Sequence, residues 1–234
     1  MRKIGRIGMA NGSHRGRAAT AMAWTVAAAL CLGFCGAGEA RAETVIAALG
    51  DSLTQGYGLP EEQGFVPQME DWLQAQGADV RMINAGVSGD TTAGGAARVD
   101  WTLAEDVDGM IVALGGNDLL RGLDPGQARA NLEKIVIAAR DAGVPVLLVG
   151  FEAPQNYGAE YKEAFDAIYP ELSVTYGTLY AESFFIGLEE VAGEAGELRG
   201  YLQSDGLHPN AEAVKLIVAG LGPEVLDLVA AAED

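Results

Sequence analysis

Four short polar segments of the sequence carry side chains that together could perform acyl transfer. Residues 50–54, 84–90 and 115–118 each end an apolar run, and residues 205–210 contain His208. These segments hold serine, histidine, aspartate, asparagine and glycine, which can supply the nucleophile, base, orienting carboxylate and oxyanion donors of serine acyl transfer. Each segment alone is typical of a turn or a helix N-cap, so the prediction depends on their occurrence together.

Strand-like and helix-like patterns alternate from Glu43 onward and predict the framework that positions these segments. Apolar runs predict buried strands over 44–49, 80–83, 110–114 and 145–149, with a short fifth strand around 174–180. Apolar residues at helical spacing predict helices over 64–76, 91–105, 125–142 and 159–172, and a last one from about 209 to 231. The alternation favours one three-layer α/β/α domain with a mainly parallel, five-stranded sheet.

The predicted sheet brings the polar segments to one edge. Ligands of parallel α/β sheets bind outside the carboxyl ends of the strands, and three predicted strands end in glycine-rich polar segments there. His208 is the one histidine beyond residue 42, and an imidazole suits general-base chemistry at neutral pH. The candidate nucleophile is Ser52, in the segment 50–54. Asp205 lies three residues before His208, a spacing that lets its carboxylate reach the imidazole nitrogen that faces away from Ser52.

The polar segments resemble the sequence blocks of the GDSL hydrolases and, as a set, of the SGNH subgroup. The resemblance covers about residues 44–222 and is nearest to bacterial periplasmic arylesterase, acyl-CoA thioesterase and lysophospholipase enzymes. The matching residues, in chain order, are Ser52 within Gly50-Asp51-Ser52-Leu53, then Gly89, Asn117, and Asp205 with His208.

The resemblance implies a role for each matching residue. Ser52, Asp205 and His208 would form the catalytic triad, and the oxyanion hole would combine the N–H groups of Ser52 and Gly89 with the side-chain amide of Asn117. The lipase elbow Gly-x-Ser-x-Gly is absent, because residues 50–54 read GDSLT. This departure favours a flavodoxin-like SGNH hydrolase fold with an open site over the ordinary α/β-hydrolase fold.

A second set of residues is expected to bind the substrate. The segment 154–158 falls where the resembled enzymes carry a mobile acyl-binding loop. The candidate substrate-binding residues are Asp51, Leu53, Pro154, Asn156 and Tyr157. An acyl chain could also contact Leu53, Leu59, Leu119 and Leu120, for which packing in the core is the alternative interpretation.

The sequence predicts neither a cofactor nor a metal site. Beyond residue 42 it has one histidine and no cysteine, and it contains no His-Glu-x-x-His and no phosphate-binding Gly-x-x-x-x-Gly-Lys motif. The remaining alternative is an all-carboxylate magnesium site made of Asp51, Asp90 and Asp118.

Residues 1–42 have the layout of a secretory signal peptide. A basic front precedes an apolar stretch from Ala21 to Phe34, and Ala40-Arg41-Ala42 places small residues before a cut at Glu43. The stretch is shorter than the ~20 residues of a membrane-spanning helix, which disfavours an uncleaved anchor. Lipid modification at Cys31 or Cys35 is a further alternative, although bulky residues precede both. We expect residues 43–234 to be an exported domain, periplasmic or secreted.

The charge balance excludes a nucleic-acid-binding function. The whole chain carries a net charge of −18, and residues 1–42 hold six of its 15 basic and one of its 33 acidic residues, which leaves −23 for residues 43–234. A nucleic-acid binder needs a basic face, and anionic lipid headgroups would repel this surface. The expected partner is a small ester or lipid-like substrate, without stable membrane insertion after signal cleavage, and the oligomeric state is left open.

Three functions are compatible with these observations. The first is a serine esterase for aryl and short acyl esters, with acyl thioesters and lysophospholipids as further candidate substrates. The second is an esterase that uses the same triad to deacetylate a polysaccharide or cell-wall glycan. The third is a non-catalytic binding module that keeps the fold.

Overall fold

The computed structural model describes residues 43–103, 106–192 and 198–233, so the predicted signal peptide lies outside the described residues. A five-stranded sheet forms the centre of this part of the chain. Its strands are β1 (Thr44–Gly50), β2 (Val80–Gly86), β3 (Gly109–Ala113), β4 (Val146–Val149) and β5 (Leu179–Ala181). All pairings are parallel and the strand order is β2-β1-β3-β4-β5, which confirms the predicted flavodoxin-like sheet.

The described residues form nine α-helices, of which seven lie between strands and two follow β5. They are α1 (Ser52–Gln55), α2 (Phe65–Ala75), α3 (Thr92–Thr102), α4 (Gly116–Leu120), α5 (Pro125–Asp141), α6 (Ala159–Asp166), α7 (Ile168–Tyr176), α8 (Ile186–Ala192) and α9 (Ala211–Ala232). Within the same ranges, no helix combines the length and the apolar character that crossing a membrane would require.

Helices cover both faces of the sheet. On one face α9 contacts α2 and α8 and packs along β1, β3, β4 and β5. On the other face α5 contacts α3, α6 and α7. Every residue of β1, β3 and β4 is buried, as expected for parallel strands enclosed by two helical layers. These three strands form the centre of the hydrophobic core.

The strand order reverses between β1 and β3, and this reversal creates the crevice of the fold. The chain leaves β1 towards β2 on one side and leaves β3 towards β4 on the other, so the two connections diverge at the carboxyl ends. Ser52 begins α1, two residues after the end of β1, and Asn117 lies in the short helix after β3. The topology therefore brings two predicted site residues to the edges of one crevice.

Two helices replace the single helix predicted over 159–172. α6 ends at Asp166, and Pro170 lies in the first turn of α7. A continuous helix would need an N–H at residue 170 to bond to the carbonyl of Asp166, but proline has no N–H and its ring collides with that carbonyl. The fifth strand starts later than predicted because α7 continues to Tyr176.

β2 extends beyond its predicted end at Ile83. Its last residues stay paired with β1, up to the pair Gly50 and Gly86. A Cβ on Gly86 would lie 2.4 Å from the backbone nitrogen of Gln55, so only glycine lets α1 pack against this strand end. The sequence analysis also missed the short helices α1, α4 and α8, which are too short to show an apolar period.

Candidate active site

Ser52 is the first residue of α1 and is separated from the buried strand β1 by Asp51 alone. Asp51 is the N-cap of this helix, and its Oδ1 accepts a hydrogen bond from the N–H of Leu53 at 3.0 Å. Aspartate satisfies a helix N-terminus because its carboxylate accepts from an otherwise unpaired N–H. The cap fixes the turn that presents the Ser52 side chain at the crevice.

His208 connects Ser52 to Asp205 in a continuous relay. His208 Nε2 lies 3.0 Å from Ser52 Oγ, and His208 Nδ1 lies 2.6 Å from Asp205 Oδ2. The other carboxylate oxygen accepts from the N–H groups of Leu207 at 2.9 Å and His208 at 3.0 Å. These three bonds, the one from His208 Nδ1 first, lower the pKa of Asp205 to about 2. The structure thus brings the three predicted triad residues within hydrogen-bonding distance.

The loop that carries His208 is tied to the loop after α1. Gln203 Nε2 donates to the carbonyl of Tyr57 at 2.8 Å and to that of Pro209 at 3.0 Å. The N–H of Gln203 donates to the carbonyl of His208 at 2.8 Å, and the Tyr57 ring lies 4.6 Å from the imidazole, centre to centre. Sequence reasoning did not identify Gln203 or Tyr57, because their contacts join segments 146 residues apart.

The predicted oxyanion donor Asn117 is held by Asp51. Asn117 Nδ2 donates to Asp51 Oδ2 at 3.0 Å, which leaves the second hydrogen of the amide for another acceptor. Asp51 is 2 % exposed, and burial raises the pKa of its carboxyl although the bonds from Leu53 and Asn117 oppose the shift. Asp51 therefore orients two elements of the site, the start of α1 and the Asn117 amide.

Gly89, the other predicted oxyanion donor, lies in the turn between β2 and α3. Its φ of 83° is in the left-handed region, which glycine adopts without strain. Its carbonyl accepts from Arg121 Nη2 at 2.7 Å. Among the described residues, the N–H groups of Ser52 and Gly89 donate to no protein acceptor. Gly89 is not among the residues that line the cavity beside Ser52, which is described below, so its part in an oxyanion hole remains a prediction.

Arg98 joins the ends of two strands to the turn that contains Gly89. Its guanidinium donates to the carbonyls of Ala85 at 2.7 Å and Gly50 at 2.9 Å, and to Asp90 Oδ2 at 2.7 Å. A planar guanidinium with several donors can hold three acceptors in a fixed arrangement. Arg98 thus anchors both residue 50, two before Ser52, and residue 90, next to Gly89.

A second buried carboxylate links the β3 end to helix α3. Asp118 is 2 % exposed and accepts from the N–H of Thr92 at 2.8 Å and from its hydroxyl at 2.7 Å. Asn131 Nδ2 donates to the same hydroxyl oxygen at 3.0 Å. Asp118 follows Asn117 in the chain, and Thr92 follows Gly89 by three residues, so this contact fixes the spacing between the two predicted oxyanion segments.

A cavity of about 470 Å³ opens next to Ser52 and His208. All five predicted substrate-binding residues line it: Asp51, Leu53, Pro154, Asn156 and Tyr157. Leu119 and Leu120 line it too, whereas Leu59 does not and packs against the core instead. Sequence reasoning missed the lining residues Phe151, Glu152, Ser183, Phe185, Glu189 and Leu207.

Most of the missed wall comes from the loops after β4 and β5, which lie on one side of the catalytic groups. Phe151 follows β4, and Phe185 follows β5. No polar motif marks residues 150–153 or 182–185 in the sequence, and a single aromatic residue near a strand end does not distinguish a cavity wall from the core. Only the strand order, which one sequence does not reveal, would identify these residues as part of the cavity wall.

The three carboxylates considered for magnesium have separate partners. Asp51 binds the Asn117 amide, Asp90 binds Arg98, and Asp118 binds Thr92. In the ranges that the structure describes, no group of three or more histidine, cysteine or acidic side chains is arranged to hold a metal ion. The geometry at Ser52 instead fits activation of a hydroxyl by an imidazole.

Residues 48–216 match the sequence profile of the GDSL-like Lipase/Acylhydrolase family. The chain belongs to this family. The Esterase TesA of Pseudomonas aeruginosa is 37% identical over 192 residues, which are 82% of this chain and 92% of that protein. The Thioesterase 1/protease 1/lysophospholipase L1 of Escherichia coli strain K12 is 34% identical over 192 residues, 82% of this chain and 88% of the other.

Solved structures of GDSL proteins have the same fold. AlinE4, described as an SGNH-hydrolase family esterase, is 40% identical with a TM-score of 0.64, over 79% of this chain and 96% of that one. The sequence blocks, the sheet and the family assignment agree. This GDSL-family protein is therefore a hydrolase of ester bonds, and the predicted resemblance is confirmed.

Proposed function

We propose that this GDSL-family hydrolase cleaves aryl and short acyl esters through a covalent acyl-enzyme on Ser52. The observation that carries the proposal is the relay from Ser52 Oγ through His208 to Asp205, with atoms 3.0 Å and 2.6 Å apart. A serine hydroxyl becomes a nucleophile only when a base accepts its proton, and the short distance to His208 Nε2 supports that role for the imidazole.

The first half of the reaction acylates the enzyme. Ser52 Oγ attacks the ester carbonyl carbon while His208 Nε2 takes the hydroxyl proton, and the carbonyl oxygen becomes an oxyanion. The Asp205 carboxylate, ionised at neutral pH, stabilises the imidazolium that forms. The tetrahedral intermediate collapses, the imidazolium gives its proton to the leaving oxygen, and the alcohol departs.

The oxyanion would be held by three donors, the N–H groups of Ser52 and Gly89 and the amide of Asn117. The two N–H groups have no acceptor within the described residues, and the Asn117 amide keeps one free hydrogen. Preorganised donors of this kind stabilise the charge that develops in the transition state. Water then attacks the acyl-enzyme with His208 as base, and the same donors serve the second tetrahedral intermediate.

The cavity beside the serine suits an acyl or aryl group. Four leucines, two phenylalanines and Tyr157 contribute apolar surface to its wall, and its volume of about 470 Å³ lies within the range of small-molecule sites. The name of the E. coli relative includes thioesterase and lysophospholipase activities. Acyl thioesters and lysophospholipids are therefore further candidate substrates of this chain.

We also infer that residues 1–42 are a cleaved signal peptide and that residues 43–234 act outside the cytoplasm. The basic front, the apolar stretch and the small residues before Glu43 support this inference. Expression of the full chain in a bacterial host, fractionation and N-terminal sequencing test it. A periplasmic product that begins at Glu43 is expected, and a membrane-bound product that keeps residues 1–42 would refute it.

Hydrolysis of p-nitrophenyl esters of increasing acyl length tests the enzymatic proposal. Short acyl esters should be cleaved, and a Ser52→Ala variant should show only background. A fluorophosphonate should label the protein at Ser52, as peptide mass spectrometry would identify. Turnover of acetylated xylan alone would replace the proposal with a glycan deacetylase, and absence of any turnover above the Ser52→Ala control would favour a binding module.

A further inference from the structure

The wall of the catalytic cavity contains carboxylates that the triad does not use. Glu152 and Glu189 line the cavity together with its apolar residues. Both side chains are exposed rather than buried. Glu189 Oε1 accepts from the hydroxyl of Ser183 at 2.9 Å, a neutral partner that leaves its charge uncompensated. Among the described residues that line this cavity, none is a lysine or an arginine.

The cation nearest to Glu152 does not neutralise this region. Lys162 Nζ lies 2.5 Å from Glu152 Oε1, but also 2.7 Å from Asp166 Oδ2. One positive charge is therefore shared by two negative ones. Arg121, which holds the carbonyl of Gly89, lies next to the cavity-lining Leu120 but does not itself line the cavity.

A neighbouring depression extends the negative region. It has a volume of about 540 Å³ and shares four wall residues with the catalytic cavity: Phe151, Glu152, Ser183 and Glu189. Two further acidic residues, Asp166 and Glu182, line it. The depression thus adds two acidic residues to the two that it shares with the catalytic cavity. Together with the net charge of −23 for residues 43–234, this arrangement makes the approach to Ser52 electronegative.

We propose that the acidic wall makes this enzyme select esters by charge, against anionic substrates and in favour of neutral and cationic ones. The inference rests on the proposed esterase function and specifies its substrate class. A leaving group with several phosphate charges, such as coenzyme A, meets repulsion on binding, whereas a neutral thiol or a quaternary ammonium does not. Although the sequence resembles that of acyl-CoA thioesterases, this enzyme would then prefer thioesters of neutral or cationic thiols to those of coenzyme A.

Three butyryl thioesters that differ in the charge of the thiol test this proposal on residues 43–234. They are butyrylthiocholine, S-butyryl-N-acetylcysteamine and butyryl-coenzyme A. Each releases a thiol that Ellman's reagent detects, and residues 43–234 contain no cysteine to react with it. At about 0.02 M salt we expect kcat/KM for the coenzyme A ester to be about tenfold or more below that of the neutral ester, with the cationic ester equal to or above the neutral one.

Salt and two double variants identify the origin of the effect. At about 0.5 M salt the gap between the neutral and the coenzyme A ester should narrow, because exposed charges are screened. Glu152→Gln with Glu189→Gln should narrow it at low salt. The matched control is Glu171→Gln with Glu212→Gln, which changes the net charge equally at exposed ion pairs with Arg129 and Lys215 and should leave the gap unchanged.

The outcomes separate this proposal from the proposed function. Equal kcat/KM for the neutral and the coenzyme A ester, or an equal effect of the control variant, would overturn the charge selection while the esterase function stands. Absence of hydrolysis of every thioester and of p-nitrophenyl butyrate would instead overturn the esterase function. If only oxygen esters are cleaved, the comparison is repeated with three butyrate oxygen esters whose alcohols are cationic, neutral and anionic. Titration of the released butyric acid then gives the three values of kcat/KM.

Discussion

The serine side of the site, residues 50–54 with 89–92 and 115–118, is built differently from the histidine side, residues 203–210. The serine side stands on strand ends and on two buried carboxylates, Asp51 and Asp118, each 2 % exposed. On the histidine side the Asp205 side chain is 39% exposed, Leu202 pairs with Pro209 across the base of the loop, and Gln203 Nε2 joins the loop to the carbonyl of Tyr57. One side is thus part of the core, and the other is a surface loop.

The two carboxylates next to Ser52 and His208 respond to these surroundings in opposite directions. Burial raises the pKa of Asp51, whereas the bond from His208 and two backbone N–H groups lower that of Asp205 to about 2. Asp51 serves as a fixed acceptor inside the protein, while Asp205 is a solvated charge that supports the imidazolium. We therefore expect changes on the serine side to affect stability and catalysis together, and changes on the histidine side to affect catalysis far more than stability.

The largest expected effect comes from the histidine side. His208→Ala removes the base, so kcat for a p-nitrophenyl ester should fall by about 10⁴-fold or more. The melting temperature should change little, because the imidazole contacts loops rather than the core. Steady-state kinetics and thermal unfolding followed by circular dichroism measure both. A large loss of stability would show that the histidine loop is part of the folding core, which would contradict the difference proposed between the serine side and the histidine side.

Asn117→Ala tests the serine side with a smaller catalytic effect and a larger structural one. Loss of one oxyanion donor should lower kcat by about 10²- to 10³-fold with little change in KM. The buried Asp51 would lose the amide partner of its Oδ2, so the free energy of unfolding should fall by about 1–3 kcal/mol. Urea unfolding provides that value. Unchanged stability would contradict a structural role for the bond between Asn117 and Asp51.

Arg98→Lys asks whether the support of the turn at Gly89 matters for catalysis. Lysine keeps the charge but cannot hold three acceptors in one plane, so the turn should shift and kcat should fall by about 10- to 100-fold. Arg140→Lys, at an exposed ion pair with Asp141, is the matched control and should have wild-type activity. Equal activity of the two variants would remove Arg98 from the positioning of the site.

The smallest expected effect is a pH dependence of stability on the histidine side. Because the native pKa of Asp205 is lowered from 3.8 to about 2, its ionised form stabilises the fold above pH 3.8, and this contribution disappears as pH falls through 2. The stability difference between wild type and Asp205→Asn should therefore shrink between about pH 4 and pH 2. Urea unfolding at several pH values measures it, and a constant difference would contradict the shifted pKa.

Much of the fold and the relay could be predicted from the sequence, because local signals carried them. Buried strands are continuous apolar runs, and the spacing of Asp205 and His208 lies within one turn. The break at Pro170 was readable in principle from the missing N–H of proline, but the apolar pattern of the surrounding residues outweighed it. The short helices around Ser52 and Asn117 had no periodic signal to predict them.

The supports of the site were not predictable from one sequence because they are long-range. The contacts of Arg98 with Gly50 and of Thr92 with Asp118 join segments 48 and 26 residues apart. To predict the roles of Asp51 and Asp118 one must also know that their side chains are buried, since an aspartate at a strand end is ordinarily a turn residue. The cavity wall from the β4 and β5 loops depends on strand order, which local patterns do not contain.

The separation of that wall from the catalytic groups has a consequence for how such an enzyme diversifies. Phe151 lies between β4 and α6, Phe185 lies between β5 and α8, and neither segment carries a residue assigned to bond making or bond breaking. Mutational drift in those two connections can reshape what enters the crevice while the reaction itself is conserved. One ancestral scaffold could in this way give rise to enzymes with different substrate specificities and an identical chemical step.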